Sequence, residues 1–244
     1  MKKIILPIVV VLLTIAPVFA QKNFILSHLD RRGYLNLSGG VSKPVASLFA
    51  ADPASVSDLK SVGGSSIQIA AGYRLTRLFG VVASMTNCLN NANTLPMVEN
   101  VAQSQFGTDW SAKGGSWNCA HLLLGPTISL QSGLFMFDGR IMGGYSWVQR
   151  PSTELKGAFY NVPMVVQTSA ERSRSFSVGT GVSVRCKIGR NFALAIHADY
   201  LSTRAEFKNV KSILKIGNDE ATDFVRETHP IGMLSLNGGL SLLF

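Results

Sequence analysis

Hydrophobic and polar residues alternate along most of the chain, most clearly between residues 135 and 147. There Phe135, Phe137 and Ile141 occupy one set of alternate positions, while Asp138 and Arg140 occupy the other. Successive side chains of a strand point to opposite faces, so a period of two residues predicts β-strands. Eight segments carry this pattern: residues 33–41, 67–76, 79–88, 117–130, 135–147, 176–185, 192–200 and 234–244.

The predicted connections between these segments are of two kinds. Three are tight turns, at residues 75–79, 131–134 and 188–191, and four are long links, at residues 43–65, 89–115, 150–172 and 203–228. Short turns at one end and long loops at the other are typical of a transmembrane β-barrel. A soluble β-sandwich also alternates, but it gives no reason for this asymmetry. The pattern predicts an all-β, antiparallel up-and-down barrel, with eight strands favoured and ten as the alternative.

Aromatic residues lie at both ends of the predicted strands, as expected where rings sit at the two membrane interfaces. The group near the short turns consists of Tyr73, Phe79, Phe135, Phe192 and Phe244. The group near the long loops consists of Tyr145, Trp147, Phe176 and Tyr200. The core of a soluble sandwich has no reason to sort aromatic residues in this way, so the two groups favour a membrane barrel.

The N-terminal residues 1–20 have the pattern of a secretory signal peptide. Lys2 and Lys3 precede an apolar run at residues 4–18, and cleavage is predicted before Gln21. An uncleaved anchor is the weaker interpretation, because a spanning helix needs about 20 apolar residues. Residues 21–244 are then a single barrel domain. With 46% hydrophobic and 15% charged residues, the chain is also not intrinsically disordered.

The last residues carry the most specific motif of the chain. Phe244 is terminal, and Leu242 and Leu240 precede it at alternate positions. This ending resembles the signal that outer-membrane proteins present to the barrel assembly machinery. With the signal peptide and the eight segments, the chain resembles the small OmpA/OmpX-like outer-membrane barrels. The resemblance implies periplasmic short turns, four extracellular loops, the outer membrane of a Gram-negative bacterium and no cofactor.

Alternation sends several charged residues into the predicted lumen. An eight-stranded barrel is only wide enough for side chains to fill it, and buried charges need partners. We therefore expect a salt-bridge network that plugs the barrel; a narrow channel that favours anions is the alternative. The predicted inward set is Arg74, Asp138, Arg140, Arg185, His197 and Asp199.

Nothing in the lumen set points clearly to catalysis. His197 and Asp199 share a face, and an aspartate can orient a histidine base, but no nucleophilic serine can be named. The resemblance to barrel-type lipid A deacylases also fails, because those enzymes place their catalytic pair on the lipid-facing surface. We therefore predict a protein that is not an enzyme; a lipid-modifying enzyme is the less favoured alternative, and no metal site is predicted.

Cys88 and Cys119 fall at similar depth on neighbouring predicted strands, both facing inward. A disulfide between them and a pair of free thiols are both compatible with the sequence.

The fourth long link contains Phe207, Val210, Ile213 and Leu214 at helical spacing, which predicts a short amphipathic helix. Its interleaved cations could contact the phosphates of lipopolysaccharide. The interpretation we favour is a solvated helix that packs its apolar side on the barrel rim. This basic loop cluster consists of Arg204, Lys208, Lys211 and Lys215.

The leading functional hypothesis is a barrel that acts through its long loops, in a structural role, in adhesion, or by contacting lipopolysaccharide, a ligand, or a host or neighbouring protein. Nucleic acid is not an expected partner despite the net charge of +9, because export removes the chain from the cytoplasm.

Overall fold

A computed structural model describes residues 31–45, 48, 61–103, 110–159 and 162–244 of the chain. The predicted signal peptide, residues 1–20, lies outside the described residues. The strands are β1 (Gly33–Val45), β2 (Ser61–Arg74), β3 (Phe79–Ala92), β4 (Ser111–Gly114), β5 (Ser116–Ser132), β6 (Phe135–Arg150), β7 (Thr153–Phe159), β8 (Val162–Thr168), β9 (Glu171–Lys187), β10 (Phe192–Ile216) and β11 (Asp219–Leu243). One helix, α1 (Leu95–Gln103), lies between β3 and β4.

Eight strands close into an antiparallel barrel, which confirms the predicted fold class and strand number. The order around the ring is β11, β1, β2, β3, β5, β6, β9 and β10, and β10 pairs again with β11. Closure joins the two ends of the domain, because Gly33 and Phe244 exchange backbone hydrogen bonds of 2.8 and 3.0 Å.

The wall of the barrel is apolar outside and polar inside, the reverse of a soluble protein. Leu37, Ile69 and Ile141 are 60%, 49% and 69% exposed on the outer surface. The residues next to them in sequence, such as Ser38 and Gln68, are buried in the lumen. An apolar surface that encircles a single chain requires lipid around it, so this is a transmembrane barrel. None of the described helices has the length and apolarity needed to cross a membrane.

Above the long-loop end, part of the barrel wall continues as β4, β7, β8 and the last residues of β10 with the first of β11; we call this part the wall extension. Where β4 follows on from β5 and β7 from β6, the pairing register is unchanged: Asn118 pairs with Gln149 in the barrel and Gly114 with Thr153 above it. The same holds from Arg150–Glu171 to Thr153–Thr168. The third long link is therefore an extended hairpin.

The breaks lie side by side and form what we call the interruption line, at residues 115, 151–152, 169–170 and 208–209. Gly115 donates to the carbonyl of Ser152 at 3.0 Å, and Ser169 donates to that of Lys211 at 2.9 Å. Arg150 and Thr153 are both buried although they stand three positions apart, an odd spacing that would place them on opposite faces of a regular strand. An extra residue in one strand has this effect, because it shifts the alternation of faces.

The helix predicted in the fourth long link is wrong: β10 continues to Ile216 and turns into β11 through Gly217, whose φ of 59° suits glycine. The helical spacing of the apolar residues in this link arises from a β-bulge in β10. The register shifts between Phe207 and Val210, so two residues on the same face of the strand stand three apart. Leu214 follows four residues later on that face, which imitates a helical repeat.

Candidate functional site

One ion pair, between Arg185 and Asp138, lies in the lumen near the short turns. The carboxylate of Asp138 accepts hydrogen bonds from Nε of Arg185 at 3.0 Å and from its Nη2 at 2.8 and 2.9 Å. The hydroxyls of Ser129 and Ser183 donate to the same carboxylate at 2.6 and 3.1 Å. The guanidinium also lies 3.7 Å from the ring centroid of Tyr34. Both charges are almost fully buried and are satisfied by side chains from four strands.

A second ion pair lies one step further into the lumen. Nε and Nη2 of Arg140 donate to Oδ1 of Asp199 at 2.9 and 2.7 Å, and Nη2 also donates to Oδ2 at 2.7 Å. Nε2 of Gln68 donates to Oδ2 of the same aspartate at 2.9 Å from the opposite wall. The ring of His197 lies 3.3 Å from Nη2 of Arg140. This pair therefore spans the barrel from β6 and β10 to β2.

The sixth member of the predicted lumen set, Arg74, is also buried, at the short-turn end. Its guanidinium donates to the backbone carbonyl of Arg31. All six predicted residues thus line the lumen, and four of them form the two pairs.

Above the ion pairs, Nδ1 of His121 contacts the hydroxyl of Ser146, which contacts the hydroxyl of Ser177. A serine next to a histidine is the arrangement of a nucleophile and its base. Here, however, all three side chains are at most 1% exposed, so no substrate can reach them. The described residues also hold no group of three or more side chains suited to bind a metal ion.

Aromatic side chains fill the lumen at the long-loop end. The ring of Trp117 lies 6.2 Å from that of Phe207 and 5.9 Å from that of His229, in edge-on contacts. Glu227 pairs with Nη1 of Arg150 at 3.0 Å and with Nε2 of His229 at 2.9 Å. Together these side chains form what we call the mouth cluster: Trp117, Phe207, His229, Glu227 and Arg150.

The two cysteines of interest lie directly below the mouth cluster. Cys88 and Cys119 face each other across the β3–β5 pair, both buried and both as free thiols.

The basic loop cluster is a row on the outer face of β10 and not on a helix. Its members lie along that face, and the β-bulge keeps Lys211 on the same side as Lys208. Lys215 pairs with Glu220 at 3.0 Å. Arg204 is exposed below the interruption line, towards the membrane, and Lys208 is exposed at the line itself.

The aromatic residues near the long loops occupy three adjacent strands and not the whole ring. Tyr145 and Trp147 lie on β6, Phe176 on β9 and Tyr200 on β10. Tyr145 and Phe176 pack edge to face at 6.5 Å. The short-turn group spreads further around the barrel: Tyr73, Phe79, Phe135, Phe192 and Phe244.

An outer crease of about 430 Å³ follows the interruption line, where the wall extension begins. Lys113, Glu154, Gln167 and Lys211 line it. Glu154 accepts hydrogen bonds at 2.9 Å from both Lys156 and Gln167. These bonds, from Lys156 first, hold the pKa of Glu154 below its ordinary value. The contact therefore contributes above the ordinary carboxyl pKa and is lost as the pH falls through the lowered one.

Several residues of these arrangements are not among the site residues predicted from the sequence. Tyr34 and Trp117 lie in the lumen but carry no charge that would single them out. Arg172 and Arg174 lie on the outer face of β9 and extend the alternation of the sixth segment by two positions before Phe176. Continuing that alternation backwards would have found both arginines.

No protein-family model matches the chain, and no curated protein matches it. Similar solved structures exist at low identity. Neisserial surface protein A is 13% identical with a TM-score of 0.46, over 87% of this chain and 97% of that one. A major outer membrane protein from Thermus thermophilus is 12% identical with a TM-score of 0.47, over 87% and 99%. The outer membrane protease OmpT from Escherichia coli is 11% identical with a TM-score of 0.40, over 87% and 97%.

Proposed function

We propose that the protein is a non-enzymatic barrel of the Gram-negative outer membrane, closed to solutes, that acts through its wall extension and loops. The observation that carries this proposal is the filled lumen. Two buried ion pairs, Arg185 with Asp138 and Arg140 with Asp199, cross it at successive levels. Opening a path would separate buried charges at a cost of about 3–5 kcal/mol for each pair.

The apolar outer wall and the aromatic residues at its ends support the membrane location. We propose that residues 1–20 direct export and are cleaved before Gln21. We also propose that Leu240, Leu242 and Phe244 are read by the barrel assembly machinery. These three side chains face outward at the end of the chain and are exposed, so a partner can reach them before lipid covers them.

We propose that the protein has no catalytic activity because a substrate cannot reach its buried Ser–His contact. The described Ser–His contact, between Ser146 and His121, is sealed inside the lumen. Described ion pairs outside the lumen, such as Lys215 with Glu220, join only a cation and a carboxylate.

Planar-bilayer recording of the purified barrel tests the proposal against a channel. We expect no stepwise conductance from the wild-type protein. The variant Arg140→Ala, Asp199→Ala, which removes one crossing pair, serves as the comparison. Steady conductance by the wild type, with anion selectivity, would establish the channel instead. Lipid A mass spectra from cells with and without the protein test the enzyme alternative, and we expect identical spectra.

A further inference from the structure

Four cations gather on the outer face of two adjacent strands, just above the aromatic residues of the long-loop end. Arg172 and Arg174 lie at alternate positions of β9, and Arg204 and Lys208 lie on β10; all four are exposed. Neighbouring strands are about 4.8 Å apart, and alternate residues about 6.7 Å apart. The four side chains therefore start from a patch of about 5 by 14 Å, small enough for one phosphorylated headgroup.

Little negative charge balances this patch. Glu206 lies among the four cations, but its carboxylate pairs with Nε of Arg226 at 3.2 Å. Arg172 donates through Nε to the side-chain carbonyl of Gln149 at 3.1 Å, a neutral partner that orients its guanidinium. Among the described residues, Arg174, Arg204 and Lys208 have no acidic partner.

The basic charge does not continue from β9 across β6, β5, β3 and β2. The row of paired residues that starts at Arg172 runs sideways through Gln149, Asn118 and Leu89 to Ser65. None of these other residues is charged. A uniform basic collar would indicate general attraction to an anionic surface, whereas a local patch indicates a site.

The aromatic residues give the depth of the patch. Arg174 pairs directly with Trp147, and Tyr145 pairs with Phe176 one step closer to the apolar wall. Aromatic rings in barrels take the level of the lipid headgroups. The cations just above them thus lie where phosphate groups of the outer leaflet are found.

We propose that Arg172, Arg174, Arg204 and Lys208 bind the phosphates of a phosphorylated glycolipid of the lipid A class, held against the aromatic face below. The proposal rests on the outer-membrane location proposed above. Lys113 and Lys211, in the crease, are not part of this site because Glu154 accompanies them. Lys215 is excluded because Glu220 neutralises it.

The test compares two double variants of equal charge change in the full barrel in detergent. Arg174→Gln, Arg204→Gln removes two cations of the patch. Arg77→Gln, Arg190→Gln removes two exposed arginines from the short turns at the other end. A heat-dependent shift in gel migration checks that both variants fold. Binding of bisphosphorylated lipid A, of the same lipid without phosphates, and of inorganic phosphate is measured by native mass spectrometry at low salt.

We expect the patch variant to bind bisphosphorylated lipid A about 10- to 30-fold more weakly than the wild type, since each cation near such a surface adds about 1 kcal/mol. The control variant should bind as the wild type does, and higher salt should reduce the difference. Equal binding by both variants would overturn the site, as would unchanged binding after the phosphates are removed. Displacement of lipid A by millimolar phosphate would show a free-anion site and overturn the lipid assignment. Lipid A binding is measured in detergent, so a loss of binding tests only the lipid A site. The proposed outer-membrane role is tested separately, by cell fractionation and by conductance.

Discussion

Replacing Asp138 by alanine is expected to lower the free energy of unfolding by about 3–5 kcal/mol. The substitution leaves the guanidinium of Arg185 buried and without its acidic partner. It also removes the acceptor for the hydroxyls of Ser129 and Ser183. An uncompensated buried cation is the dominant cost, because a hydroxyl can rotate to another acceptor whereas the charge cannot leave the lumen.

The magnitude follows from the geometry of the pair. Three nitrogen–oxygen distances lie between 2.8 and 3.0 Å, so the contact is bidentate. At an effective dielectric constant of about 20, two unit charges 4 Å apart attract by about 4 kcal/mol. Hydrogen bonds to charged groups contribute about 1.5–3 kcal/mol each, and part of this is contained in the same attraction. Both values agree with a loss of several kcal/mol.

Urea unfolding of the barrel in lipid vesicles, followed by tryptophan fluorescence, measures this loss. The variant Asp138→Leu, Arg185→Met removes both charges and fills the space, and we expect it to recover at least half of the loss. Asp223→Ala, on the exposed end of β11, is the control, and it should change stability by less than about 0.5 kcal/mol. An unchanged midpoint for Asp138→Ala would refute the network, and so would a double variant as unstable as the single one.

Three further predictions concern packing and thiols. Gly144→Ala should destabilise the barrel, because the added Cβ would overlap a backbone carbonyl of the neighbouring strand. The control Gly139→Ala should not, because its added Cβ meets nothing within 4 Å. The urea midpoints of the two variants measure the difference. Phe207→Ala should cost about 3–5 kcal/mol by the same assay, since it empties the centre of the mouth cluster; a loss below about 1 kcal/mol would show that the mouth is loosely packed. Cys88 and Cys119, which are buried free thiols in the structure, should stay reduced, so that alkylation of the denatured, unreduced protein labels all three cysteines; labelling of only one would show a disulfide between them.

The eight-stranded ring could be predicted from the sequence because two different solvents act on the wall. Lipid outside and packed side chains inside require outward and inward residues to alternate strictly, and segment 135–147 alternates throughout. The wall extension has water on its outer face, so its alternation is weaker. There the β-bulge between Phe207 and Val210 gave a strand the spacing of a helix.

The lumen set could be predicted, but its pairing could not. Alternation places Asp138 and Arg140 on one inward face, yet the register between strands decides their partners. Asp138 lies opposite Ser183, which brings Arg185 within reach two residues along β9. The pairing of β9 with β10 then brings Asp199 to Arg140. Register depends on the closure of the whole ring, which no local pattern contains.

The interruption line also bears on how the length of this protein can change during evolution. Below the line, gaining or losing one residue turns every following side chain of that strand to the other face, which would expose Asp138 or Arg140 to lipid. At the line, the chain already contains such an extra residue between Arg150 and Thr153 and another between Phe207 and Val210, and the wall continues above it. Insertions and deletions are therefore expected to accumulate above the line, while the strands below keep a fixed length. The long-loop end can then diversify without a matching change in the membrane-embedded wall.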